Sequence, residues 1–166
     1  MTAPRVAAIA LTLALVVLGK TYYRTASADS LAWLLAPTAT CVSSVTDTHF
    51  VRERGVGWID RAVAFEIVPE CAGLHFLLAA LLVLGFAGLP AMTSWAAAAR
   101  QLALAGAGAY VAALAVNTLR IAIAIRLHER ALGGAELHRL EGTVVYLGGL
   151  CAVYAAARRL HGAAAA

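Results

Sequence analysis

Three residue types suited to covalent chemistry stand at the edges of apolar runs in this chain. Cys71 lies in Pro69-Glu70-Cys71-Ala72-Gly73-Leu74, where a polar, strand-like stretch meets a long apolar one. A thiol at such a boundary is near water, and the N-terminus of a following helix favours the thiolate. Glu70 beside it acts the other way, so a basic partner is required. Arg120 sits in Asn117-Thr118-Leu119-Arg120-Ile121-Ala122-Ile123, with apolar residues on both sides. An arginine at the centre of a membrane helix costs about 2.5–3.5 kcal/mol on insertion scales, and such residues face polar cavities. Asn117, one turn earlier on the same helix face, is placed to orient it. His138, in Glu136-Leu137-His138-Arg139, can take a proton from a thiol near neutral pH. Two rivals exist: His128 in the same loop, and His75, which shares a helix face with Cys71 if one helix carries both.

Taken singly, these residues have bland readings: a packed cysteine, an arginine snorkelling to the interface, a solvated loop histidine. Taken together they supply a nucleophile, a cation and a base, which is a Cys/His arrangement with an oxyanion stabiliser. No serine-hydrolase motif, phosphate loop or metal-ligand spacing competes with it in the sequence, and no cofactor or metal is called for. Cys41 and Cys151 lie inside apolar stretches. Three cysteines at unrelated spacings make neither a disulfide framework nor a zinc pattern.

The elements that must position these groups follow from composition. The chain has 166 residues, 62% hydrophobic and 13% charged, with mean hydropathy +0.81. Soluble domains average about 25% charged and 45–50% apolar residues. The apolar excess falls in blocks, as expected for an all-α polytopic membrane protein of one compact domain over residues 1–166. The net charge of +4 is dispersed along the chain and flanks apolar runs, which fits membrane orientation and not nucleic-acid binding. Five apolar segments are expected as transmembrane helices: Pro4–Gly19, Ser30–Val45, Cys71–Leu89, Gln101–Ile125 and Glu141–Ala157. The first has no small-x-small site after it and reads as an uncleaved helix. The second carries Pro37 and several hydroxyls, so it reads as a kinked span or a re-entrant piece.

Between residues 46 and 70 the chain becomes strand-like. Phe50–Arg54 and Ala62–Val68 are expected to pair as a β-hairpin around Gly55-Val56-Gly57, on the membrane surface before the third helix. Pro69 is expected to open that helix. If all five segments span, Lys20, Arg24, Arg100, Arg158 and Arg159 share one side with Asp29 alone among the acidic residues. That side is then cytoplasmic. If the second segment does not span, the side holding Arg5 and Arg100 is still net positive. In both cases Cys71, Arg120 and His138 are expected at the extracytoplasmic face.

With these residues in place, the chain resembles the exosortase/archaeosortase family, most closely its short exosortase K type. The resemblance rests on Leu34-Leu35-Ala36-Pro37-Thr38-Ala39, Cys71-Ala72-Gly73-Leu74-His75-Phe76, Asn117-Thr118-Leu119-Arg120-Ile121, and His138 with Gly142. It covers roughly residues 20–157. It implies a multi-pass cysteine protease/transpeptidase of the bacterial plasma membrane, with Cys71 as nucleophile, Arg120 as oxyanion stabiliser and His138 as general base or acid. It also implies the substrates: membrane-anchored exported proteins with a C-terminal tripartite signal. Such a signal has a short motif such as Pro-Glu-Pro, a membrane helix and a basic cluster. The family cleaves near the motif and transfers the new C-terminus to an acceptor. The chain departs from the family at His75, where asparagine is more usual, and in lacking the accessory helices of larger exosortases. The competing reading is a non-enzymatic membrane subunit or small transporter, with Arg120 as an anion site and Cys71 incidental. Convergence of Cys71, Arg120 and His138 separates the two.

Overall fold

The computed structural model describes residues 2–130 and 134–163, with the side chains of Ala135, His138 and residues 161–163 outside the description. Its helices follow the apolar blocks: α1 Ala3–Tyr23, α2 Ala32–Val45, α3 Leu74–Ala87, α4 Trp95–Glu129 and α5 Ala135–Ala163. Among the described residues, four helical stretches are long and apolar enough to cross a membrane: Ala3–Tyr23, Pro69–Ala87, Trp95–Glu129 and Arg139–Leu160. The protein is thus a mostly helical, multi-pass membrane protein. α2 has 14 residues, about 21 Å at the α-helical rise, which is short of the ~30 Å hydrocarbon core. Thr38 and Thr40 donate to the carbonyl four residues back, as does Thr46 just past the helix end, and Ser44 donates to the Cys41 carbonyl. Such back-bonding removes the cost of polar groups in an apolar setting.

The chain forms two compact units. The first combines Met1–Arg24, His75–Ala113 and Gly148–Ala166. Here Ala8, Met92 and Ala98 form a buried cluster with Leu89 and Leu102 packed against it. Small residues let helices approach. A Cβ at Gly85 would lie 3.2 Å from Thr12, and one at Gly108 would lie 3.1 Å from Leu84. Arg5 ties the start of α1 down by donating to the Pro90 carbonyl at 2.8 Å. Val6, Leu11, Leu13, Leu15, Val17 and Leu18 remain exposed on α1, as apolar side chains facing lipid would be.

The second unit combines Thr25–Leu74 and Leu114–Leu147. Leu31, Leu34, Leu35, Val42, Ile67, Ile121 and Ile125 are its large buried apolar residues. It also contains the β element, which is a three-stranded antiparallel sheet in the order β1 Val51–Glu53, β2 Gly57–Asp60, β3 Phe65–Ile67. The expected pairing of Phe50–Arg54 with Ala62–Val68 is corrected: a further strand, beginning at Gly57 of the expected turn, lies between them. Gly57–Asp60 pairs on both sides, with Arg52 opposite Trp58 and Trp58 opposite Ile67. The second reversal, over residues 61–64, has no glycine or proline to announce it. Asp60 supplies the turn chemistry instead: its carboxylate accepts from the N–H groups of Ala62 and Val63 and from that of His49. An Asx-type turn of this kind does what a Gly-containing turn does elsewhere. β2 packs against α2, and Trp58 and Ile67 are buried. Arg52 closes the sheet's outer end on Asp29 at 2.7 Å, which holds the Asp29 carboxyl below its ordinary value.

The His49 N–H, followed by those of Ala62 and Val63, holds the Asp60 carboxyl below the usual carboxylate range, against the opposing effect of burial. A carboxylate with a depressed folded-state pKa contributes stability that is complete above about pH 4 and is lost as pH falls through the folded-state value. Asp60→Ala, which removes the acceptor for three N–H groups, should cost roughly 2–3 kcal/mol. Unfolding in detergent micelles should show that loss at pH 7 and a shrinking difference from the parent below about pH 4. An unchanged midpoint at pH 7 would mean that the turn does not depend on Asp60.

Candidate active site

Cys71 does not begin a helix. It ends a 3-10 turn, Pro69–Cys71, whose Cys71 N–H donates to the Val68 carbonyl at 2.8 Å. Gly73 then takes φ +71°, and α3 starts only at Leu74. The expected helix Cys71–Leu89 with Pro69 at its first turn is corrected accordingly: Pro69 opens the 3-10 turn, and a left-handed residue separates thiol from helix. The helix-face relation between Cys71 and His75 lapses with it, because the i,i+4 rule holds only along an unbroken helix. His75 is exposed and stacks edge-on against Tyr23, ring centroids 4.8 Å apart.

The break at Gly73 has a physical cause. A Cβ there would lie 2.8 Å from Cγ of Asn117, so only glycine combines the left-handed backbone with this approach. Asn117 uses the space. It is 1% exposed, and its Nδ2 donates to the main-chain carbonyl of Cys71 at 2.6 Å. Its Oδ1 accepts from Nε of Arg120 at 3.3 Å and from the hydroxyl of Tyr146 at 2.9 Å. The contact expected of Asn117 with Arg120 is therefore present, and the same amide reaches the Cys71 segment across 46 residues of chain.

Arg120 is buried, at 8% exposure. Its guanidinium carbon lies 5.4 Å from the Tyr146 ring centroid, within cation–π range. Gly142 leaves space beside it: a Cβ there would lie 3.6 Å from Cδ and 3.8 Å from Nη1 of Arg120. By contrast, Gly106 and Gly148 face open space. Both carboxylate oxygens of Glu141 are buried.

The structure thus gathers the Cys71 segment, Asn117, Arg120 and Tyr146. His138 belongs to α5, and its side chain lies outside the described residues. His128 is exposed and packs edge-on near Phe65, ring centroids 6.4 Å apart. Cys151 is exposed and Cys41 half-buried. Sequence reasoning missed Tyr146, and one signal could have found it. A tyrosine in the middle of the apolar run Val144-Val145-Tyr146-Leu147, away from the interfacial belt, must find a partner for its hydroxyl.

Neither the curated proteins nor the solved structures return a match to this chain. The sequence model of one family, described as transmembrane exosortase (Exosortase_EpsH), matches residues 3–155. That match takes in the 3-10 turn, α3, α4 and the part of α5 that carries Gly142 and Tyr146, so the chain belongs to the transmembrane exosortase family.

Proposed function

We propose that the chain is a short exosortase, of the K kind, acting as a cysteine protease/transpeptidase on C-terminal sorting signals of exported proteins at the outer face of the bacterial plasma membrane. The observation that supports it most is the Asn117 amide, which holds the Cys71 main chain and the Arg120 guanidinium together. Charge supports the side. If the four span-length stretches cross, Arg5, Arg100, Arg158 and Arg159 share one face with no acidic residue, which reads as cytoplasmic. Cys71 and the C-terminal end of α4 then belong to the other face.

In this reading the substrate's own membrane helix delivers the scissile bond to the boundary, and anchoring supplies proximity. The Cys71 thiol passes its proton to His138, and its sulfur attacks the carbonyl carbon. Negative charge develops on the carbonyl oxygen, where the Nη groups of Arg120 stabilise it, its Nε being engaged by Asn117. Collapse of the tetrahedral intermediate breaks the C–N bond. The amine leaves with the proton from His138, and a thioester remains on Cys71. Water or an acceptor amine then attacks the thioester, gives its proton to His138, and the thiolate is released.

The test uses a membrane-anchored reporter ending in Pro-Glu-Pro, a membrane helix and a basic cluster. A reporter adduct on Cys71, labile to neutral hydroxylamine, is expected during turnover by intact-mass analysis. Turnover without any such adduct, on enzyme slowed enough to trap one, would sink the covalent route. In the same assay His138→Ala should slow cleavage by about 10²–10⁴-fold, the range for a general base. His75→Ala and His128→Ala should remain within a few-fold of the parent. Loss confined to His75→Ala would make His75 the base.

A further inference from the structure

We propose that Tyr146 is a positioning residue for Arg120 in this reaction; the inference rests on the reading of Arg120 as the oxyanion stabiliser. Tyr146 acts on the guanidinium by two routes. Its ring lies under the guanidinium, 5.4 Å from centroid to Cζ. Its hydroxyl donates at 2.9 Å to the Asn117 oxygen that also receives Arg120 Nε at 3.3 Å. The tyrosine bond is the shorter of the two.

That geometry decides which way the Asn117 amide points. A flipped amide would set its NH₂ against the Nε–H of Arg120 and lose the 2.6 Å bond from Nδ2 to the Cys71 carbonyl, and the Tyr146 hydroxyl adds a second donor to the oxygen in the orientation that remains. Arg120 alone donates to the amide over a long bond on the same helix. Tyr146 comes from α5, 29 residues away, and fixes the pair from outside α4. An oxyanion donor is effective only when it is aimed before the charge develops, and small misplacements carry large rate penalties.

The two routes separate by substitution. Tyr146→Phe keeps the ring and removes the hydroxyl, while Tyr146→Leu removes both. With the tripartite-signal reporter, kcat should fall by about tenfold for Phe and about a hundredfold for Leu. KM should stay within about twofold of the parent, because membrane anchoring and not this tyrosine holds the substrate. A second readout uses a Cys41→Ser, Cys151→Ser background, where iodoacetamide reports on Cys71 alone. Alkylation forms no oxyanion, so its rate in both Tyr146 variants should stay within about twofold of the background. A third readout needs no substrate. Tyr146→Phe should lower the Tm in detergent by about 2–4 °C and should lower it no further in an Asn117→Ala background.

Parent-like kcat in Tyr146→Leu overturns the proposal. So does an alkylation rate that falls in step with kcat, since the tyrosine would then serve the thiol or the fold. Fully additive Tm losses with Asn117→Ala overturn it as well. Cys71→Ala and Arg120→Ala run in parallel keep the two levels apart. If either still cleaves, the reading of the site fails. If both are inactive while Tyr146→Leu is fully active, only the role of Tyr146 fails.

Discussion

Cys71→Ala is expected to leave the tripartite-signal reporter full-length, with turnover reduced by about 10⁴-fold or more, the loss that removing the nucleophile causes in covalent hydrolases. The fold should survive the change. Asn117 grips the main-chain carbonyl of Cys71 and not its sulfur, and the 3-10 turn is closed by backbone bonds from Cys71 and Ala72. Alanine keeps all of these, so the Tm in detergent should move by no more than about 2 °C. Activity and stability are thereby uncoupled at this position, which makes the experiment decisive. Cys41→Ala and Cys151→Ala provide the contrast. Cys151 is exposed on α5 and Cys41 half-buried on α2, and both variants should process the reporter within a few-fold of the parent. Normal processing by Cys71→Ala would refute the nucleophile assignment.

Arg120→Ala should lower kcat by about 10²–10³-fold, the range for loss of an oxyanion-hole donor. Here stability should change as well. The Asn117 oxygen, in a residue only 1% exposed, keeps the Tyr146 hydroxyl but loses its second donor. The loss of one charge-assisted bond to a buried acceptor is worth about 1.5–3 kcal/mol. Arg120→Lys separates charge from shape. A lysine restores the cation, but its single ammonium cannot give one N–H to Asn117 and present a planar fork to substrate. It should recover about tenfold over alanine and remain well below the parent. Reporter cleavage with a folded Arg120→Ala variant at parent rate would remove Arg120 from the mechanism.

Much of the helical architecture is legible in the sequence because lipid imposes long uninterrupted apolar runs, and helices α1, α4 and α5 extend beyond the runs that predict them, by as many as six residues at an end. The pairing of Asn117 with Arg120 is legible for a related reason, since residues three apart on one helix are neighbours wherever that helix goes. Three features resist such reading. The third strand is hidden because Asp60, a side chain, supplies the turn that glycine or proline would otherwise mark. The helix break is hidden because Pro69 and the apolar residues after Gly73 look continuous, while the cause of the break is Asn117, 44 positions away from Gly73 in sequence. Tyr146 is hidden because its role arises from packing between helices, which no periodicity within one helix encodes. The short α2 lies between these cases: Pro37 and its hydroxyls raise the question of whether the segment spans, and its 14 residues answer on length.

The close approach of Gly73 and Asn117 also limits how this protein can change over evolutionary time. Any side chain at 73 collides with the asparagine, and a smaller residue at 117 releases the carbonyl of Cys71, Arg120 and Tyr146 together. Neither position can be altered first without loss. The two behave as one heritable unit, and lineages that keep this arrangement must inherit both residues or replace both at once.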